Sequence, residues 1–161
     1  MALHDATDAL VLIDPLVVDD DVGALDRLAR SKRRVAILTT LQWHRRSRDV
    51  LAKRYEASTS RAQRTLPKGV ESFVVRGGGE TIFWIPEHGA LVPGDRILGH
   101  DGGGLRMCPP SWLRYLDGFT QEDLRRALRP LLELPIEMVL VSHGGPVLRG
   151  GRTALERALA Q

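Results

Sequence analysis

The stretch 38-LTTLQWHRRSRDVL-51 lies where an apolar segment of the chain changes abruptly to charge. Residues 34–39 have the composition of a buried strand, and residues 47–55 have the pattern of a helix. A single histidine, His44, stands among arginines in the connection between them. Ligand sites of α/β proteins gather on loops that follow strand ends, because the sheet holds those loops in place. The stretch therefore predicts a β-α unit with a candidate site at the end of its strand.

The alternation of strand and helix continues along the chain. The runs that predict strands are residues 9–13, 34–39, 56–58, 70–75, 80–85, 89–93, 96–98 and 136–141. Helical patterns cover residues 22–30, 47–55, 121–132 and 151–160, with a helical turn at 111–116. This order predicts a single α/β domain over residues 1–161, with sheets and helices packed in layers.

The segments outside these elements also carry predictions. Thr120 and Asp123 form a capping pattern at the start of the third helix. Residues 99–110, rich in glycine and proline, predict a loop, and a polar or helical connection is expected through Arg64. The first residues, including His4, are expected to form a mobile terminus.

The composition is that of a protein with a substantial apolar core and little excess charge. Hydrophobic residues make up 43% of the 161, and the formal net charge is +3. Arginines alternate with acidic residues in predicted helices, as in residues 122–129, which argues against a nucleic-acid interface. The chain has one cysteine, so we expect no internal disulfide and a reducing, cytoplasmic location. No apolar run approaches the roughly 18 residues of a membrane span, and no signal peptide is expected.

Four phrases, taken in order, resemble the metallo-β-lactamase superfamily over nearly the whole chain. They are 10-LVLIDPL-16, 36-AILTT-40, 83-FWIPEHGALVPGDRIL-98 and 138-MVLVSHGGPV-147. The resemblance implies a four-layer αβ/βα sandwich with metal ligands on loops at one edge of the fold. It also implies an N-terminally truncated form without the first strands, because Ile13-Asp14 falls close to Met1.

The first metal-ligand motif of that superfamily is altered in this chain. Its His-x-His-x-Asp-His loop corresponds to 40-TLQWHRR-46. In one alignment Thr40 and Gln42 replace the first two histidines, and His44 takes the position of the aspartate. An alignment shifted by one residue places Trp43 at a histidine position and His44 between ligands. Both alignments remove most of the first metal's ligands.

Two later ligand positions are kept. The Gly-Asp pair of the middle hairpin supplies Asp95, and the late His-Gly loop supplies His143. The segment 76-RGGGET-81 lacks the histidine that the superfamily places before that hairpin. A dinuclear centre needs about five to seven ligands, more than these positions supply. The resemblance therefore leaves two main interpretations.

The first interpretation is a degenerate protein without the dinuclear centre, a pseudoenzyme that binds a partner or a small anion. Arg45, at the position of the motif's last histidine, or Arg46 would pair with Asp95 and replace the charge of the metal ions. A guanidinium is always charged and binds a carboxylate through two parallel hydrogen bonds. Without such a partner, a buried carboxylate would destabilise the fold strongly.

The alternative is a hydrolase with a single Zn²⁺ or Fe²⁺ held by His44, Asp95 and His143, in which Asp95 and His44 are the catalytic pair. Two imidazoles and one carboxylate suit either ion and leave positions open for water. Arg45 or Arg46 would then hold an anionic substrate. A nucleic-acid-binding module is a third function, which the charge pattern disfavours.

Three further residues lie near these ligands in the sequence. Asp14 either orients a ligand from behind or simply ends its strand in an Asp-Pro turn. His100 and Asp101 either replace missing ligands or belong to the loop that follows the Gly-Asp hairpin.

The implied truncation predicts an oligomeric state. If the first strands are absent, apolar sheet surface lacks its cover, and a homodimer would bury it. We expect a dimer in size-exclusion chromatography with light scattering. A monomer at high micromolar concentration would contradict this expectation.

Overall fold

The computed structural model describes residues 1–31, 34–60, 66–100 and 102–161. The chain divides into two compact units, Met1–Glu71 and Ser72–Gln161. Two positions named above, Arg64 and Asp101, lie outside the described residues. No helix among the described residues combines the length and hydropathy needed to cross a membrane.

The first unit is a four-stranded sheet with two helices. Its elements are β1 (Ala2–Asp5), β2 (Leu10–Ile13), α1 (Asp19–Arg30), β3 (Val35–Leu38), α2 (Arg48–Tyr55) and β4 (Ser58–Ser60). The strand order is β1-β2-β3-β4, with β1 antiparallel to β2 and the other neighbours parallel. Every residue of β2 and β3 is buried, as expected of parallel strands covered on both faces. The parallel register places the ends of β2 and β3 side by side.

The prediction that the first residues form a mobile terminus was wrong. β1 pairs with β2 from Ala2 opposite Ile13 to Asp5 opposite Leu10. The side chains of β1 alternate between buried and exposed positions, and His4 is only 3% exposed. The ladder to β2 satisfies the backbone of this short polar segment, which its own composition does not predict as a strand.

The strands and helices of the second unit are grouped around one apolar core. Its elements are β5 (Glu71–Val75), β6 (Glu80–Ile85), β7 (Ala90–Val92), β8 (Ile97–Gly99), β9 (Leu105–Met107), α3 (Gln121–Leu128), β10 (Met138–Val139) and α4 (Gly151–Ala160). One sheet has the order β10-β7-β6-β5, and β8 pairs with β9 in a separate hairpin. The core includes Trp84, Leu91, Leu124 and Leu155.

Three predicted boundaries in the second unit differ from the structure. The predicted helix 121–132 is α3 followed by a 3₁₀ segment, Arg129–Glu133, because Pro130 cannot continue an α-helix. The predicted loop 99–110 contains β9, which pairs with β8. The predicted strand 136–141 is reduced to β10. The capping pattern is confirmed, since the Thr120 side chain accepts a hydrogen bond from the Asp123 backbone N–H.

Candidate functional site

In the first unit, Asp14 binds the segment that follows β3. Asp14 comes directly after β2 with a φ of 47°, in the left-handed region, and it is 3% exposed. Its Oδ1 accepts the backbone N–H of Thr40 at 2.8 Å, and its Oδ2 accepts the Thr40 hydroxyl at 2.5 Å. The parallel pairing of β2 with β3 makes these contacts local in space although 26 residues separate the partners. Asp14 therefore ends its strand and also holds the segment that follows β3.

The same carboxylate orients His44. Nδ1 of His44 lies 2.8 Å from Asp14 Oδ2 and 3.1 Å from the Thr40 hydroxyl, in a site where His44 is 3% exposed. A carboxylate accepts hydrogen bonds, so Nδ1 carries the hydrogen and Nε2 carries the lone pair of the neutral ring. This arrangement fixes the tautomer and the ring plane of His44, as carboxylates do behind metal-binding histidines. That His44 binds a metal remains a prediction.

Arg45 and Arg46 follow His44 in the first unit, and their pairing with Asp95 of the second unit stays a prediction. Arg45 is exposed, and Arg46 is half-buried with a φ of 41°. In the described part of the first unit, neither forms an ion pair with a carboxylate. Burial, together with the charge of Arg46, lowers the pKa of the Met1 amino group. The two guanidinium groups leave this surface positively charged.

In the second unit, Asp95 lies on a loop that a buried carboxylate holds. Glu80, the first residue of β6, is 2% exposed, and Asp95 is 7% exposed. Glu80 Oε1 accepts the N–H of Gly94 at 3.0 Å, and Oε2 accepts those of Asp95 at 2.7 Å and Arg96 at 2.9 Å. Burial raises the pKa of Glu80 to about 7, although the three amides favour the ionised form. Sequence reasoning missed Glu80, whose only signal is a lone carboxylate in an apolar strand.

Arg96 anchors the other end of the same loop. It is 1% exposed, and its Nε donates to the carbonyl of Gly78 at 2.8 Å. The guanidinium also donates to the carbonyl of Trp112 at 3.4 Å and to the Tyr115 hydroxyl. Burial raises the pKa of the neighbouring Cys108 thiol, which favours its neutral, unreactive form. The loop of Asp95 is therefore held on both sides by buried charged groups.

His143 meets Asp95 within the second unit. Its Nε2 lies 3.3 Å from Asp95 Oδ1, while its side chain is 51% exposed and its ring packs edge-on against Trp112. The N–H of Gly99 donates to the carbonyl of His143 at 2.9 Å. A Cβ at Gly99 would overlap with the backbone of Gly145, so only glycine permits this approach. β8 and the His-Gly loop are thus fixed against each other.

Within each unit, candidate residues lie close to each other. The first unit brings together Asp14 and His44, and the second brings together Asp95 and His143. His100, at the end of β8, donates its backbone N–H to Gly104 at 3.0 Å, which is consistent with a role in loop structure.

No protein-family model and no curated protein match the sequence. Solved structures do match the fold. TTHA1623 in a di-iron-bound form has a TM-score of 0.68 at 20% identity, covering 94% of this chain and 90% of that protein. DIM-1 metallo-β-lactamase has a TM-score of 0.60 at 14% identity, covering 97% and 86%. A metallo-β-lactamase from Erythrobacter litoralis has a TM-score of 0.56 at 17% identity, covering 98% and 82%. At these identities the similarity is one of fold.

The contacts of Asp14 predict the effect of removing its carboxylate. Asp14→Ala leaves the Thr40 amide, the Thr40 hydroxyl and His44 Nδ1 without their acceptor. We expect a loss of about 2–4 kcal/mol in the free energy of unfolding, because buried unsatisfied donors are costly. Urea denaturation measures it. The matched control is Asp49→Ala, which removes an exposed carboxylate paired with Arg48 and should have a far smaller effect. Equal losses in the two variants would contradict this account of Asp14.

The raised pKa of Glu80 predicts a dependence of stability on pH. The folded protein holds a proton on Glu80 up to a pH of about 7, whereas the ordinary pKa of the group is 4.5. Between these values the folded state binds more protons than the unfolded state, so this contribution to stability falls as pH rises. The fall is on the order of 3 kcal/mol between pH 5 and pH 8. Urea denaturation across this range should show a shallower dependence in Glu80→Gln. Identical slopes for the wild type and the variant would contradict the prediction.

Proposed function

The chain has the metallo-β-lactamase fold, and on this premise we propose that it is a metal-dependent hydrolase that binds one divalent ion, Zn²⁺ or Fe²⁺, at Asp95 and His143. The observation that carries the proposal is the 3.3 Å separation between Asp95 Oδ1 and His143 Nε2. Two ligands of a tetrahedral zinc site, each bonded at about 2.0–2.1 Å, lie about 3.3–3.4 Å apart. The distance between the two donor atoms therefore suits a shared metal ion as well as it suits a direct hydrogen bond between them.

The chemistry of the donors supports the same assignment. A carboxylate and an imidazole are ligands that zinc and ferrous iron both accept. The side chain of His143 is half-exposed, which gives an ion and its substrate access from solvent. TTHA1623, which shares the fold, was solved with two iron ions. We propose a single ion here because either alignment of 40-TLQWHRR-46 with the metal loop lacks most of the first metal's histidines.

The residues predicted from the sequence take the following roles in this proposal. Asp95 supplies the negative charge that offsets the cation, and His143 supplies a neutral nitrogen ligand. His44 is the proposed third ligand, and Asp14 fixes its tautomer. Arg45 and Arg46 attract an anionic substrate. An ion bound to these residues would act as a Lewis acid and make hydroxide available near neutral pH.

A second candidate function rests on the two arginines. Within the described part of their unit, Arg45 and Arg46 form no ion pair with a carboxylate, and both guanidinium groups are candidates to bind an anion. In this case the protein is a pseudoenzyme that binds a small anion and no metal. The two functions make opposite predictions about metal content.

Metal analysis of protein purified without a histidine tag distinguishes them. After incubation with Zn²⁺ or Fe²⁺ and desalting, we expect close to one equivalent in the wild type. Asp95→Asn and His143→Ala should each retain less than about a tenth of that amount, because the first removes the negative charge of the ligand and the second removes the imidazole nitrogen. His44→Ala tests the third ligand in the same way.

The control is Glu133→Gln, which neutralises an exposed carboxylate in the 3₁₀ segment after α3. It should retain the metal content of the wild type. A wild-type protein that retains less than about a tenth of an equivalent would overturn the metal-dependent function and favour anion binding.

A further inference from the structure

We propose that Glu80 is a positioning residue that sets the affinity of the site for metal by holding Asp95 in place. The inference rests on the proposed function, because it concerns the same ion. It assigns a role to a residue that would not itself touch the metal or the substrate.

Several backbone donors converge on the side chain of Glu80. Three consecutive amides, those of Gly94, Asp95 and Arg96, point at the two carboxylate oxygens of Glu80 at 2.7–3.0 Å. Three successive N–H groups can aim at one group only in a narrow range of backbone conformations. The carboxylate thus determines the course of the loop at the position where the Asp95 side chain leaves it.

These hydrogen bonds between Glu80 and the loop are buried. Glu80 and Arg96 are 2% and 1% exposed, so water does not compete for these hydrogen bonds. At a pH above about 7, where Glu80 is ionised, hydrogen bonds from the amides to its carboxylate are stronger than those between neutral groups. The backbone of Asp95 is therefore held in place, and its Oδ1 lies 3.3 Å from Nε2 of His143. A site held ready in this way avoids the entropic cost of ordering its ligands on binding.

The loop that carries Asp95 has a second attachment, which does not depend on Glu80. Arg96 holds the far side of the loop through the carbonyls of Gly78 and Trp112, neither of which involves Glu80. Removing the carboxylate should therefore loosen the loop around Asp95 while the hairpin remains attached. Loss of Glu80 then weakens metal binding in protein that is still folded.

Two variants of Glu80 test the proposal, one that keeps the length of the side chain and one that keeps its charge. Glu80→Gln retains the side-chain length and one acceptor oxygen but replaces the other oxygen with an NH₂ donor, which cannot accept from the amides. Glu80→Asp retains the charge but shortens the side chain by one methylene. Glu133→Gln is the matched control, since it makes the same chemical change at an exposed position.

Zinc affinity is measured by competition with a chromophoric chelator, well below the thermal transition of each variant, with circular dichroism to confirm folding. We expect Glu80→Gln to weaken affinity about 10–100-fold, as is usual when a group supporting a metal ligand is removed. Glu80→Asp should fall between this variant and the wild type, and Glu133→Gln should match the wild type.

A double-mutant cycle with Asp95→Asn tests that the effect passes through Asp95. In that background, Glu80→Gln should cause little further loss of zinc affinity, although it should still lower the unfolding temperature. If Glu80→Gln does not fold, Glu80→Asp carries the same cycle.

The outcomes separate the two proposals. Folded Glu80 variants that bind zinc within about twofold of the wild type overturn the positioning role and leave the metal site intact. An equal loss of affinity from Glu80→Gln in both backgrounds also overturns it. A wild type that binds neither zinc nor ferrous iron overturns the proposed function, and the positioning role with it.

Discussion

The hydrogen bonds between the buried carboxylate of Glu80 and three successive amides are the constraint on which the site of the second unit depends. They fix the loop between β7 and β8, and Arg96 secures the same loop to the carbonyl of Gly78. The other side of the site is equally constrained, because Gly99 packs closely against the His-Gly loop and accepts no side chain there. Asp95 and His143 consequently face each other across 3.3 Å as a result of backbone positions.

The first unit uses a carboxylate in a similar way. Asp14 is a buried acid at the end of β2, and its carboxylate accepts a hydrogen bond from the backbone N–H of Thr40. The same group then fixes the ring of His44. In both units a buried acid organises a loop that carries a candidate ligand. These acids are expensive to bury, and their hydrogen bonds to backbone and imidazole donors offset that penalty.

The α/β class and the metallo-β-lactamase fold predicted from the sequence are confirmed, and the reasons differ between elements. β2 and β3 were predictable because strands buried on both faces are continuous apolar runs. β1 and β9 were not, because neither contains a continuous apolar run, and such strands are stabilised by their partners more than by their own composition.

The site was predictable to a different degree for each residue. Asp14, His44, Asp95 and His143 stand at strand ends or in phrases that resemble a known motif order, so the sequence indicated them. The role of Glu80 could not be predicted from the sequence. Its partners lie 14 to 16 residues further along the chain and are backbone amides, which have no sequence signature. The role of Arg45 and Arg46 as replacements for metal ions stays a prediction.

The central claim is that Asp95 and His143 share a metal ion. Crystals grown with Zn²⁺, measured on both sides of the zinc absorption edge, test it most directly. If the two residues bind the ion together, an anomalous peak lies within about 2.0–2.2 Å of Asp95 Oδ1 and of His143 Nε2. Crystals with zinc present and no peak between these two atoms would contradict it.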